Sequence, residues 1–141
     1  MLVRLMYASR TTEAFKPESL SAILKKSTAN NPSMGVTGVL CSSGDVFLQV
    51  LEGGRSQVSA LYNRIATDPR HRDVVMLSYE EIEERSFAGW AMGQVNMNRL
   101  NPALLLKYSE KAVLDPYAVS GKVSMALFNE LVATASVMCL P

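Results

Sequence analysis

The sequence predicts an α+β fold, one sheet with two helices on one face and a helical cap on the other. Three observations lead there. Apolar runs of strand length occur at Leu2 to Ala8, Val36 to Cys41, Val46 to Leu51 and Val74 to Tyr79. Segments with helical spacing follow the first and third of these runs. A further pair of helix-like stretches fills the chain from Asn101 onward. The order is β-α-β-β-α-β plus one strand, the ferredoxin-like pattern. A chain of 141 residues is long enough to bury a core as one domain.

Each element has a local reason. Leu2 to Ala8 alternates weakly and reads as the first strand. Pro17 suits the first turn of a helix, and Leu20, Ile23 and Leu24 follow at helical spacing. Asn30-Asn31-Pro32-Ser33-Met34-Gly35 is expected to end that helix, because proline cannot continue it and Asn and Gly favour turns. Ser42-Ser43-Gly44-Asp45 signals a hairpin between the next two strands, and Gly53-Gly54 is expected to break the second of them. Val58, Leu61, Tyr62 and Ile65 share one face of a second helix that ends before Asp68-Pro69. Val74 to Tyr79 and Trp90 to Asn96 read as two more strands. One tail helix carries Leu104 to Leu106 and another runs from about Ala118 to Met138, separated by a turn at Asp115-Pro116. Together these helices are expected to cover the sheet's second face.

Composition excludes several classes. The net charge is +1, from 14 basic and 13 acidic residues without a block of either sign, unlike a nucleic-acid binder. Cys41 and Cys139 form no C-x-x-C pattern and read as reduced, buried residues of a cytoplasmic protein. Met1 leads directly into strand-like sequence, so no secretory signal is expected. The apolar stretch from Val123 to Leu140 contains Asn129 and Glu130 and follows Lys122, which argues for a soluble helix over a membrane span. A lone histidine, His71, makes a zinc site improbable and reads as a solvated loop residue. No nucleophile elbow, phosphate loop or dinucleotide fingerprint is present, so the chain is not expected to be an enzyme.

The informative residue is Gln49, inside the apolar strand Val46 to Leu51. A primary amide has two donors and two acceptor lone pairs, and each buried group left unmet costs roughly 1–3 kcal/mol. The strand therefore requires either a polar structural partner or a bound ligand beside it. On the first helix the apolar stripe of Leu20, Ile23 and Leu24 continues onto Ser27, Asn30 and Asn31, so the core-facing side turns polar. Ordinary C-capping explains that; so does a planar polar ligand at the helix end. Tyr7, near the end of the first strand, can serve packing or donate to Gln49, because strands one and three are neighbours in this topology. Trp90 and Met92, two apart, are expected to share one face of the last strand. Arg64 has Asp68 four residues on, which suits an exposed ion pair or recognition of a phosphate or carbonyl.

Tyr7 in Arg4-Leu5-Met6-Tyr7-Ala8-Ser9, Asn30-Asn31 ahead of Gly35-Val36-Thr37-Gly38, Phe47-Leu48-Gln49-Val50-Leu51-Glu52-Gly53 and Phe87-x-x-Trp90-x-Met92 together resemble the BLUF domain, a blue-light sensor that uses a flavin. The resemblance covers residues 1–98, with 99–141 as a helical extension of the same compact unit similar to that of short stand-alone members. It implies FAD as cofactor, with FMN or riboflavin as alternatives. It implies Tyr7 as electron donor to the photoexcited flavin and Gln49 as the side chain whose hydrogen bonds rearrange. Asn31 would hold the ring's carbonyl edge, with Ser27, Asn30, Arg64 and Asp68 as further contacts and Ile23 and Leu24 against the apolar face. Trp90 and Met92 would relay the change outward. Homo-oligomers and separate partners, such as a cyclic-di-GMP phosphodiesterase or a response-regulator-like protein, are the outputs the resemblance implies. A light-indifferent ferredoxin-like interaction module, with Tyr7 and Gln49 as a structural pair, is the competing expectation.

Overall fold

A computed structural model of the chain describes residues 1–13, 15–16, 18–96, 101–134 and 138–139. The elements are β1 (Leu2–Thr11), α1 (Ser19–Met34), β2 (Thr37–Ser43), β3 (Val46–Gly54), α2 (Arg55–Thr67), β4 (His71–Ile82), β5 (Gly93–Asn96), α3 (Pro102–Tyr108), α4 (Gly121–Ala133) and β6 (Met138–Cys139). They form a sheet in the order β4-β1-β3-β2-β5-β6. β5 runs parallel to β2, and every other neighbouring pair is antiparallel.

Strand β3 is buried on both faces and apolar but for Gln49, Glu52 and its closing glycines. Its residues Phe47 and Leu51 join Val3, Leu5, Leu24 and Val58 in a core beneath α1 and α2. Its residues Leu48 and Val50 join Met6, Leu105, Leu127, Phe128 and Leu131 in a second core beneath the tail helices. The expected helical cover of the second face is therefore present as tight packing. Tyr117, between α3 and α4, also reaches β4, its hydroxyl donating to the Asp73 carbonyl at 2.8 Å. Among the described residues no helix is long and apolar enough to cross a membrane.

Several boundaries differ from expectation. Helix α1 does not stop at Pro32 but continues to Met34. Pro32 lies in the last turn, where the missing N–H removes a single helical bond; the helix ends instead at Gly35, whose φ of 67° is left-handed. Strand β3 does not break at Gly53-Gly54, because β1 supplies ladder partners at Val3 and Leu2. A side chain at Gly53 would begin 3.0 Å from the Gly35 carbonyl oxygen, so glycine there permits close approach of helix end and strand. Strand β4 is longer than Val74 to Tyr79 and starts at His71. The last expected strand loses Trp90 to Met92, which precede β5. Helix α4 ends at Ala133, and Met138–Cys139 pairs with β5 instead of extending the helix. Cys41 is a free, buried thiol, as expected; Pro17 lies outside the described residues.

Candidate functional site

The β1–β3 register sets Tyr7 directly opposite Gln49, and opposite residues of an antiparallel pair project from the same face. The Tyr7 hydroxyl donates to Gln49 Oε1. At its other end the amide donates through Nε2 to the Met92 Sδ at 3.2 Å. Each end of the Gln49 side chain thus has one protein partner, half of what a primary amide can make, and one of the two is a weak sulfur acceptor. Tyr7 is fully buried with the Tyr62 ring edge-on at 5.7 Å. Burial, with smaller contributions from Tyr62 and Asp68, pushes its phenol far above the ordinary value, so it remains a neutral O–H donor.

A cavity of about 340 Å³ opens between this pair and the two helices, within the size range of small-ligand sites. Helix α1 contributes Ile23, Ser27, Asn30 and Asn31, so the polar continuation of its stripe does face the cavity. Leu24, expected there, is instead core: it lies 3% exposed among Val3, Leu5 and Val58, because a turn of 100° per residue carries it off the cavity wall. Asn31 donates through Nδ2 to the Ala91 carbonyl at 2.8 Å, tying the helix end to the segment ahead of β5. Helix α2 supplies Leu61, Arg64 and Ile65.

Arg64 and Asp68 both line the cavity but do not pair. Asp68 binds Arg70 at 2.6 Å, which holds its carboxyl down at about 2, while the Arg64 guanidinium reaches the Met34 sulfur at 3.7 Å. Lys26 also lines the cavity, and among the described residues neither Lys26 nor Arg64 pairs with a carboxylate. His71 is no loop residue: it opens β4, meets the Ser9 Oγ through Nδ1 at 2.9 Å, and its ring lies 5.6 Å from that of Phe47. Burial is the main cause that lowers its pKa; Asp68 opposes this and Arg70 adds to it. Because the folded value lies below the unfolded one, its neutral form favours folding above the ordinary histidine range. That contribution falls as pH drops from about 6.5 toward the lowered folded value. The melting temperature is expected to fall over that window, and His71→Gln should flatten the dependence there; an unchanged slope would remove His71 as its source.

Trp90 and Met92 do not share a face. Met92 is buried beside Gln49 in the core under α1 and α2, whereas Trp90 packs against the core under the tail. The two-residue period applies only within a strand, and both precede β5. Nine cavity residues lie outside the site read from the sequence: Lys26, Ser33, Met34, Leu40, Phe47, Leu61, Ile65, Arg70 and His71. Phe47 was accessible, two positions from Gln49 on one strand face. Lys26 neighbours Ser27 on α1, but its charge marked it as solvated. Arg70 and His71 carried no periodic signal in what looked like a loop.

The cavity fits a flavin. Leu40, Phe47, Ile23 and Ile65 supply apolar walls, Gln49 and Asn31 supply amides with unused capacity, and Lys26 and Arg64 supply cations suited to phosphate. Photoactivated adenylate cyclase subunit beta of Euglena longa is 37% identical over 92 residues, covering 64% of this chain but only 11% of that protein. Among solved structures, BlsA in its photo-activated state is 31% identical with a TM-score of 0.85, covering 94% of this chain and 95% of that one. Klebsiella pneumoniae BlrP1 with FMN and cyclic diGMP is 34% identical with a TM-score of 0.68, covering 73% of this chain and 28% of that one. The model for sensors of blue light using FAD matches residues 2–93, and the chain belongs to that family, BLUF.

Proposed function

We propose that this chain is a blue-light photoreceptor in which Gln49 is the switch and a separate effector or a second copy reads the result. The observation that carries it is the Gln49 amide held at the cavity wall between the Tyr7 hydroxyl and the Met92 sulfur. Bound flavin supplies absorption of blue light and the excitation that begins the cycle. A half-turn of the Gln49 amide exchanges Oε1 and Nε2. It then donates to the Tyr7 oxygen instead of accepting from it, and Met92 faces a carbonyl oxygen and loses its N–H partner. Exchanging buried hydrogen bonds is worth about 1 kcal/mol each, enough to bias a two-state segment. Asn31, Asn30 and Ser27 hold the polar edge of the cofactor, Ile23 its apolar face, and Arg64 and Lys26 its phosphates, with Asp68 orienting Arg70.

The relatives described as photoactivated adenylate cyclases, and BlrP1 with cyclic diGMP, support a role coupled to an effector. For this chain the outputs proposed are a homo-oligomer or a separate cyclic-di-GMP phosphodiesterase or response-regulator-like partner, reached through Met92, Trp90 and the tail helices. The test is an absorption spectrum before and after blue light: a small red shift that recovers in darkness is expected. A flavin spectrum that does not respond, or a colourless protein after reconstitution with FAD, would sink the reading. Tyr7→Phe is expected to keep the bound flavin and block the shift, since only the hydroxyl facing Gln49 is removed; an intact photocycle would exclude Tyr7.

A further inference from the structure

Glu52 lies on β3 three positions beyond Gln49, fully buried on the opposite face of the sheet. Its carboxylate accepts the Phe87 N–H at 2.7 Å and the Ser86 N–H at 3.0 Å, and pairs with Arg4 at 2.8 Å. Arg4 in turn donates to the Ser86 hydroxyl at 2.7 Å and reaches Glu80 at 2.8 Å. None of these groups lines the flavin cavity. A buried ion pair adds little net stability, but it fixes geometry. What this one fixes is the start of the segment that ends in Met92. The far end is held by the Gly38 N–H on the Trp90 carbonyl at 3.1 Å and by Asn31 on the Ala91 carbonyl. In between, Phe87 is buried edge-on to Phe128 of α4, ring centroids 6.2 Å apart. One short stretch therefore touches the Gln49 amide through Met92 and the tail helices through Phe87.

We propose that Glu52 is a positioning residue of the photocycle, whose carboxylate latches the 86–92 segment in its dark arrangement. The proposal rests on Gln49 as the switch. When Met92 loses its N–H partner the segment is free to shift, and the Glu52 bonds to Ser86 and Phe87 are what oppose that shift and restore the dark geometry. Glu52 thereby sets the lifetime of the lit state without touching the cofactor. Glu52→Gln keeps the side chain's shape but removes its charge and one acceptor, leaving one backbone N–H without its carboxylate oxygen.

The experiment is the dark-recovery rate after a blue-light pulse, measured by absorption in the full chain and in Glu52→Gln. The variant is expected to bind flavin and shift to the red like the wild type, but to recover about tenfold more slowly or worse, the size of one lost charge-assisted hydrogen bond. Recovery within twofold of wild type overturns the latch while leaving the switch intact. Absence of any shift in the wild type defeats the Gln49 reading and the latch with it. If Glu52→Gln does not fold, amide hydrogen exchange in the wild type decides. The Ser86 and Phe87 amides should lose protection under steady blue light, and equal protection in light and dark overturns the proposal.

Discussion

Gln49→Leu is expected to retain flavin and lose the light-induced red shift completely. Leucine is close to glutamine in volume, so the cavity wall keeps its shape, but both ends of the amide disappear. The Tyr7 hydroxyl then has no acceptor at Oε1, and the Met92 sulfur has no N–H. A buried hydroxyl left unmet costs roughly 1–3 kcal/mol, which a domain of this size tolerates. Because Tyr7 stays a neutral phenol, no change of pH near neutrality restores the missing contact. The check is absorption before and after blue light beside a thermal melt; a normal shift in folded Gln49→Leu would place the switch elsewhere.

Phe128→Ala is expected to be the most destabilising single substitution in the tail. Phe128 is fully buried, packs edge-on to Phe87 and belongs to the core with Met6, Leu48 and Val50. Truncating a buried phenylalanine costs about 3–5 kcal/mol from lost burial plus the cavity left behind. A fall in melting temperature of about 10 °C or more follows for a chain of this length. Flavin binding should persist in the folded fraction, because the cavity lies on the other face of the sheet. A melting temperature equal to wild type would mean that α4 contributes nothing to the sheet's stability.

Element order was legible because each element carries its own period. Leu5 and Tyr7 alternate with Arg4 and Met6 across β1, and Val58, Leu61, Tyr62 and Ile65 recur along one face of α2. The site was half legible for a related reason. Gln49 stood out as an amide inside an apolar strand, and Ser27, Asn30 and Asn31 stood out as polar residues continuing an apolar stripe. Leu24 was misplaced because adjacent helical residues differ by 100° in direction, finer than a stripe can resolve.

By itself the sequence determined the order of elements from β1 to α4, the adjacency of β1 and β3, and the chemistry gathered near Gln49, but not strand β6. Only the tertiary structure decided that Met92 faces Gln49 while Trp90 faces the tail, and that His71 and Arg70 join the cavity wall. The reason is physical. The 83–92 segment has no repeating hydrogen bonds of its own, so its path is set by distant partners: Glu52 on β3, Gly38 on β2 and Asn31 on α1. His71 likewise gains its place from pairing with Thr11 and from Ser9, at least sixty positions earlier in the chain. Local periodicity carries no trace of contacts made at that separation.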